Sequence, residues 1–374
     1  MSTSKNIVLL GAYGFTGLRI ARLLNVQKIG FSIAGRDREQ LEQLKDTNAS
    51  IRSIITTDIN SGEELDDLIS KTDILISCIG PYNISGSRII ERVIRAGIVY
   101  LDISGEQHFI NESFRKRNEA VKSGACLVHS LSFESALTDL LAAVKISNKE
   151  KWNELSSFYY FENTIPSSGT RLTMQISKFF PTYSIRNGKL FKTDILSFTD
   201  DVWNPERQKT NKAIFMPYPE VLFFHQRYRP QHSASYLLTD EFNASYLQSG
   251  NNAGPDLDTI LERENRKKKR QPDEEACRKQ YFEIFLYSKK EEAAEKTWKL
   301  SGYNMYKITA GILVQFLKEM LEQDLFYPGV HAPGELAANP AILLDNIMEE
   351  NNIQLTENVA FSLSRSYPND KENS

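Results

Sequence analysis

Three glycines, Gly11, Gly14 and Gly17, recur at every third position of Gly11-Ala12-Tyr13-Gly14-Phe15-Thr16-Gly17. The chemistry this spacing permits is capture of a diphosphate by backbone N–H groups where a strand turns into a helix. Gly11 can take the dihedrals of the sharp turn, Gly14 lets the backbone approach a pyrophosphate, and Gly17 lets the helix pack closely on the strand. Arg36 stands about 20 residues further on, where an acidic residue would hold a ribose 2′-hydroxyl. A guanidinium there pairs instead with a 2′-phosphate, which predicts NADP(H) over NAD(H). Asp37 is the neighbour that could reach the ribose instead, and a solvated loop arginine is the bland alternative. A nicotinamide cofactor carries the hydride, so the protein must supply orientation and a proton source or sink. Tyr82, Glu106, Glu134 and Asp139 are the candidates for the proton.

The elements that must position these groups follow from the apolar pattern. Asn6 to Leu10 reads as a buried strand, and Ile20, Ala21, Leu23 and Leu24 as one face of the helix after the glycines. Further strands are expected at Phe31 to Ala34, Ser53 to Thr57, Asp73 to Ile79, Ile98 to Leu101 and Ala125 to His129. Helices are expected between them, one with a Ser61/Glu64 capping box, one ending at Gly97, and one from Asn111 to Lys122 ending near Gly124. Such alternation predicts an α/β fold with a Rossmann-type doubly wound parallel sheet. Ligands bind outside the carboxyl ends of its strands. That rule gathers the Gly11 turn, Arg36, Asp58, Gly80-Pro81-Tyr82, Ser104-Gly105-Glu106 and the Ser130 to Ser135 loop around one cleft.

Past Lys145 the pattern changes. Trp152 to Phe161, Lys189 to Phe198, Gln280 to Tyr287 and Glu295 to Leu300 read as strands, the last two as a hairpin. Residues 151–302 are expected to form a second α+β domain with a mostly antiparallel sheet, after a nucleotide-binding domain at 1–150. Residues 303–374 are expected to be a helical segment packing back on the first domain, led by the amphipathic helix Tyr306 to Leu321. Gly250 to Asp273 lacks a core pattern and reads as a loop. Its basic run Arg266-Lys267-Lys268-Lys269-Arg270 is flanked by acids and has no aromatic platform, which argues against nucleic acid.

Composition excludes several classes. The net charge of −3 gives no field that favours nucleic acid or an anionic membrane. Cys78, Cys126 and Cys277 are too scattered for a disulfide framework, and the five histidines lack metal-ligand spacing, so no metal is expected. Met1 to Lys5 lacks the features of a signal peptide, and no apolar run approaches the ~20 residues that span a bilayer. A soluble, cytoplasmic protein is expected. Cys78 reads as a small residue within a strand. Tyr303 and Lys307 repeat the Y-x-x-x-K spacing of short-chain dehydrogenases, but after an intervening domain, and are set aside as chance.

The Gly11–Gly17 turn, Ala34-Gly35-Arg36, Ile79-Gly80-Pro81-Tyr82 and Tyr100-Leu101-Asp102-Ile103-Ser104-Gly105-Glu106 together resemble the saccharopine dehydrogenase-like oxidoreductases, a group that includes trans-acting enoyl reductases. The resemblance runs firmly to about Ala143 and loosely beyond. Where that family has G-F-D-S-[IV]-P-x-D after its sixth strand, this chain has Ser132-Phe133-Glu134-Ser135-Ala136-Leu137-Thr138-Asp139. The resemblance implies NADP(H) held by Gly11 to Gly17 (that is, Gly11, Ala12, Tyr13, Gly14, Phe15, Thr16 and Gly17), Arg36, Asp58, Gly80, Pro81 and Tyr82. It places substrate near Glu134 and the Ser168-Gly169-Thr170 loop. Tyr82 is expected as a proton donor or cofactor wall, and Glu106 as a buried acid or the tie of a turn. The implied reaction is NADPH-dependent reduction of an activated C=C bond, or a C=N bond, in a small-molecule or acyl substrate, by a homodimer. The altered 132–137 loop leaves open a non-catalytic nucleotide-binding protein. A saccharopine-type amino-acid dehydrogenase is the third reading, although no arginine cluster accompanies Arg171 in the second domain.

Overall fold

β1 (Ile7–Leu10) is buried along its whole length, and its side chains divide between two cores. Ile7 and Leu9 enter one apolar cluster, and Val8 and Leu10 the other, as the two-residue period of a strand requires. A strand covered on both faces belongs at the centre of a parallel sheet. In the computed structural model it lies there, between β2 (Phe31–Gly35) and β4 (Ile74–Ser77). The structure describes residues 5–197, 199–204, 207–241, 243–245, 247, 255–266, 271–291, 293–360 and 362–364.

The other strands of this first sheet are β3 (Ile51–Thr56), β5 (Val99–Asp102), β6 (Cys126–Val128) and, from far along the chain, β15 (Gly329–His331). They run in the order β15-β6-β5-β4-β1-β2-β3, and every neighbouring pair is parallel. The helices α1 (Phe15–Val26), α2 (Arg38–Asp46), α3 (Gly62–Ser70), α4 (Tyr82–Ala96), α5 (Gln107–Arg115), α6 (Arg117–Ser123) and α7 (Phe133–Lys145) connect successive strands or follow the sixth. Gly97 and Gly124 cap α4 and α6 in the left-handed conformation expected of them, at φ 69° and 84°.

The second sheet is built from β7 (Glu154–Glu162), β10 (Thr199–Asn204), β11 (Lys209–Phe215), β12 (Ser235–Thr239), β13 (Tyr281–Lys289), β14 (Lys296–Tyr303), β16 (Gln354–Glu357) and β17 (Ser362–Ser364). Their order is β16-β14-β13-β7-β12-β11-β10-β17. All neighbours are antiparallel except β12 and β7. A separate hairpin joins β8 (Tyr183–Arg186) to β9 (Lys189–Lys192), and α8 (Ser168–Ile176) and α9 (Glu220–Arg227) flank the sheet.

One apolar core passes through both domains. Ile20 and Leu24 of α1, Leu137 and Leu140 of α7, Ile312 and Phe316 of the helix Met305–Gln323, and Ile284 and Leu300 of the second sheet belong to it. Each such side chain contributes roughly 1.5–3 kcal/mol on burial, so the two sheets are held as one body by shared helices.

Several local expectations are corrected. The helix expected from Asn111 to Lys122 is two helices that break at Lys116, where φ −90° and ψ 8° leave the helical range. The Ser61 box is half made: Ser61 accepts from the Glu64 N–H at 3.3 Å, but the Glu64 carboxylate turns to the Asp58 N–H at 2.7 Å. The strand from Lys189 ends at Lys192, and Phe198 lies outside the described residues. Within the loop expected over Gly250–Asp273, Leu257–Arg266 is helical with Ile260 buried, while residues 250–254 and 267–270, most of the basic run, lie outside the described residues. The segment after residue 302 is also more than a returning helix, since β15 completes the first sheet while β16 and β17 join opposite edges of the second.

Candidate active site

The glycine turn leaves no room for side chains at two of its three glycines. Gly11 has φ +82°, and a Cβ there would stand 2.9 Å from the Ile79 side chain. A Cβ on Gly17 would come within 2.2 Å of the Gly11 carbonyl oxygen, so α1 can lie against the turn only with glycine. Gly14 is the N-cap of α1 and brings no side chain to its first N–H groups, and the first turn has no acidic residue. The positive end of α1 therefore opens outward undiluted, which fits a dinucleotide diphosphate.

At the end of β2 the charges sort themselves. The Asp37 carboxylate accepts from the Gln40 backbone N–H at 3.1 Å and from its side chain, capping α2, so both of its oxygens are engaged. Arg38 pairs with Glu42 at 2.8 Å. The Arg36 guanidinium is exposed and has no hydrogen-bond or ion-pair partner among the described residues. Asp58 lies at the end of β3, but its carboxylate closes its own turn on Asn60 at 3.0 Å.

Around Gly80-Pro81, whose peptide bond is cis, the structure corrects the reading of Tyr82. The phenol points into the core: it is 5% exposed, donates to the Ser77 carbonyl at 2.8 Å and stacks on Phe109. It is neither a donor to the cleft nor a wall of it. Glu106 is buried, and its carboxylate accepts from the Tyr82 N–H at 2.7 Å and the Asn83 N–H at 2.8 Å, the first two of α4. Asn83 returns the contact by accepting from the Phe109 N–H of α5 at 3.0 Å. Each helix is thus capped by a side chain at the start of the other, an arrangement neither sequence stretch displays alone. Burial pushes the Glu106 carboxyl up to about 7 against the pull of those N–H groups.

The second domain meets this region through α8. Thr173 donates to Glu106 at 3.4 Å, and its hydroxyl stands beside Gly80. Ser167 caps α8 by accepting from the Thr170 N–H at 3.2 Å, and the Tyr306 hydroxyl accepts from the Ser167 N–H at 2.6 Å. The Tyr306 ring meets Phe15 of the glycine turn edge-on, with centroids 4.7 Å apart. Tyr306 therefore joins the N-terminal ends of α1 and α8, and α8 also lacks acidic residues in its first turn. Ser168 is buried and held by Gln271 and Arg171, whereas Gly169 and Thr170 are exposed.

Behind the Gly105 end of β5 lies a second acidic group. A Cβ on Gly105 would stand 3.4 Å from the half-buried Glu134 carboxylate. Glu220, the first residue of α9, is fully buried, and one of its oxygens accepts from Ser157 at 2.5 Å and Tyr159 at 2.7 Å. Its other oxygen is buried without a partner among the described residues. Burial pushes Glu220 up to about 7 despite the two hydroxyls, and pushes Glu134 up as well. Tyr218 packs on Tyr159 at 4.4 Å and is raised by burial and by both carboxyl groups. Tyr159, Tyr218, Glu220, Ser167 and Tyr306 were not foreseen. A lone acid ahead of Val221-Leu222-Phe223-Phe224 was the one local hint of Glu220.

Other candidates have structural duties. Asp139 is buried between Arg227 at 2.7 Å and the Gly334 N–H at 2.6 Å, tying α7 to α9 and the turn after β15. Asp102, His129 and Ser113 form a chain of two 2.7 Å hydrogen bonds, but all three are sealed in the core. Burial pushes the Asp102 carboxyl up, yet His129 with the Ser130 and Ser104 donors outweighs it and holds the carboxyl below its ordinary value. Cys78 lies just past β4, and burial drives its thiol far above the ordinary range, away from nucleophilic chemistry. Tyr303 ends β14 and packs on Tyr281, whereas Lys307 bonds the Glu350 carbonyl, so the Y-x-x-x-K pair is not assembled.

The resemblance read from the motifs is borne out by known proteins. Residues 7–128 match the family model described as saccharopine dehydrogenase NADP binding domain, which also bears out NADP(H) as the cofactor. The saccharopine dehydrogenase-like oxidoreductase of Homo sapiens is 29% identical over 153 residues, 36% of this chain and 36% of that protein. A trans-acting enoyl reductase of Mycobacterium ulcerans is 26% identical over 140 residues, 36% of this chain and 34% of that protein. The matched region thus spans about a third of the length of these curated relatives. Among solved structures, apo saccharopine dehydrogenase (L-Glu forming) from Saccharomyces cerevisiae superimposes with a TM-score of 0.60 at 14% identity, covering 96% of this chain and 100% of that one. At that identity the likeness is one of fold, and it extends through both domains. No described helix is long and apolar enough to cross a membrane.

Proposed function

We propose that this protein is an NADPH-dependent oxidoreductase that reduces an activated C=C bond of enoyl type in the cleft between its two sheets. The observation that carries the proposal is the glycine cradle, closed to a Cβ at Gly11 and Gly17, with Arg36 unpaired among the described residues at the neighbouring strand end. The N–H groups at the start of α1 hold the diphosphate, and Arg36 holds the 2′-phosphate. The bound dinucleotide supplies a hydride to the electron-poor carbon. This chain's residues must then orient the substrate and deliver one proton to the adjacent carbon. Glu106 and Thr173 fix the Gly80 loop against α8, and Gly169 and Thr170 border the entrance. The proton is held by Glu220, which burial pushes up to about 7, beside Glu134, which burial also pushes up. The positive end of α8 favours negative charge developing on a substrate oxygen.

The enoyl class is supported by the named activity of the Mycobacterium ulcerans relative. A cytoplasmic homodimer completes the proposal, although one relative from Caenorhabditis elegans is described as lipid droplet localized. Fractionation and light scattering of the purified protein check both points. The main test titrates NADPH and NADH into the wild type and Arg36→Glu, then follows oxidation of bound NADPH with enoyl, imine and keto substrates. Tight NADPH binding that falls roughly 100-fold in Arg36→Glu is expected, since a charge-assisted pair contributes about 1.5–3 kcal/mol and the new carboxylate repels the phosphate. Unchanged NADPH affinity in the variant sinks the Arg36 assignment. Tight binding with no turnover of any substrate class refutes the reductase reading in favour of a non-catalytic binding protein.

A further inference from the structure

We propose that Tyr13 reads the 2′-phosphate together with Arg36, by donating its phenol proton to that phosphate. The inference rests on the NADP(H) reading above and adds a specificity-determining residue to it. Tyr13 lies in the middle of the glycine turn, yet its ring reaches across to the second strand. It covers Gly35 so closely that a Cβ there would stand 2.6 Å from the ring. Its hydroxyl oxygen accepts from the backbone N–H of Arg36 at 3.2 Å and of Asp37 at 3.3 Å. Those two N–H groups are the donors that the end of β2 would otherwise offer to a ribose.

A phenol oxygen that accepts twice has one group left to use, its own O–H. That proton has no acceptor among the described residues, and the ring is only half-buried. Polarisation by two N–H donors makes the O–H a better donor than a free phenol. Beside it, the Arg36 guanidinium is also unpaired, while Asp37 and Arg38 are occupied by Gln40 and Glu42. Two unspent donors, one neutral and one cationic, thus flank the strand end where the adenosine ribose lies in this class of sheet. Their joint match is a phosphate monoester, which carries close to two negative charges and three acceptor oxygens. A bare 2′-hydroxyl is uncharged and offers both donors a much weaker acceptor. Gly35 then has a defined purpose: it keeps the space that lets Tyr13 lie down against the strand.

The test is isothermal titration of the full chain with NADPH, NADH, adenosine 2′,5′-bisphosphate and 5′-AMP, in the wild type, Tyr13→Phe and Gly35→Ala. Tyr13→Phe keeps the ring over Gly35 and removes only the hydroxyl. It is expected to weaken NADPH and the bisphosphate by roughly tenfold or more, the range for a hydrogen bond to a charged group, with NADH and 5′-AMP changed about twofold or less. Gly35→Ala should reproduce the loss with the hydroxyl intact, and its circular dichroism must match the wild type for the comparison to count. Full NADPH affinity in Tyr13→Phe overturns the proposal, as does an equal loss of all four ligands, which would make Tyr13 a general wall. A wild type that binds neither NADPH nor the bisphosphate removes the cofactor reading itself, a failure distinct from that of Tyr13 alone.

Discussion

Replacing Glu220 by glutamine tests whether this buried acid holds a proton at neutral pH. Burial lifts the carboxyl from its ordinary 4.5 to about 7, with one oxygen bonded by Ser157 and Tyr159 and the other unpartnered. Because the folded value is the higher one, the native protein keeps a proton that the unfolded chain has already released in that window. Its stabilising effect is therefore complete below about pH 4.5 and fades as pH rises through about 7. At about 1.4 kcal/mol for each pH unit, the difference amounts to roughly 3 kcal/mol. Glutamine can keep the acceptor toward the two hydroxyls, but it buries an amide N–H pair where the bare oxygen was, costing about 1–3 kcal/mol. The introduced amide cannot ionise, so its cost is the same at every pH. The variant should melt below the wild type near pH 5, and the gap should close by roughly 3 kcal/mol by about pH 8. With an unfolding entropy of about 2.1 cal/mol/K per residue, that is a relative change of about 4 °C in melting temperature. Glu106 also titrates at about 7, but it is present in both proteins and cancels in the comparison. Calorimetry across this pH range is the assay. A gap between variant and wild type that stays constant with pH refutes the claim that Glu220 is neutral when folded.

The other predictions concern groups the structure has reassigned. Tyr82→Phe should leave the rate of NADPH oxidation within about twofold while costing roughly 1–3 kcal/mol in thermal unfolding, since its hydroxyl serves the buried Ser77 carbonyl and not the cleft; a large fall in rate at full cofactor occupancy would restore it as a proton donor. His129→Leu strands a buried Asp102 and should cost about 3–5 kcal/mol in urea unfolding. In the wild type the lowered Asp102 value makes its contribution present above its unfolded range and lost as pH falls. In the variant the carboxyl is free to protonate, so its deficit should shrink toward low pH, and a deficit that does not vary would contradict the account of Asp102 as a carboxylate held by His129.

The cofactor half of the site was legible because it is made by backbone. A strand, three glycines and a helix start present N–H groups whatever packs nearby, so the turn could be read from about 30 consecutive residues, and Gly11 and Gly17 do leave no room for a side chain. The parallel sheet followed from the same alternation, and so did the Gly97 and Gly124 caps. The misjudged residues are those whose role depends on a distant partner. Tyr82 read as a cleft residue because it follows Gly80-Pro81, yet its direction is set by Phe109 and Ser77. Nothing near Ser167 predicts Tyr306 as its partner, 139 residues away. Strands β10, β11 and β12 escaped because β11 and β12 do not alternate cleanly in burial, while β10, which does, takes β17 from the far end of the chain as one of its neighbours. β15, three residues long, is too short to show any period.

The two buried acids near the cleft differ in a way that decides which of them can carry a proton. Both are lifted to about 7, so acidity alone does not separate them. Glu106 has an N–H donor on each oxygen, and protonating either oxygen weakens it as an acceptor for a cap on α4. Its partners favour the carboxylate, and its work is to hold the loop that Thr173 touches from the second domain. Glu220 receives both of its donors on one oxygen, leaving the other free to bear a proton without loss of any bond. Burial with one-sided hydrogen bonding is what a neutral acid requires, whereas burial with two-sided donation from N–H groups is what a structural carboxylate requires. On the proposed reading the cofactor lies against the first domain, and the proton would be kept at Glu220 of α9, within electrostatic reach of Glu134. In that reading the shared core through α7 and the helix Met305–Gln323 sets the position of Glu220 relative to the glycine turn, so it would serve the mechanism as well as the stability.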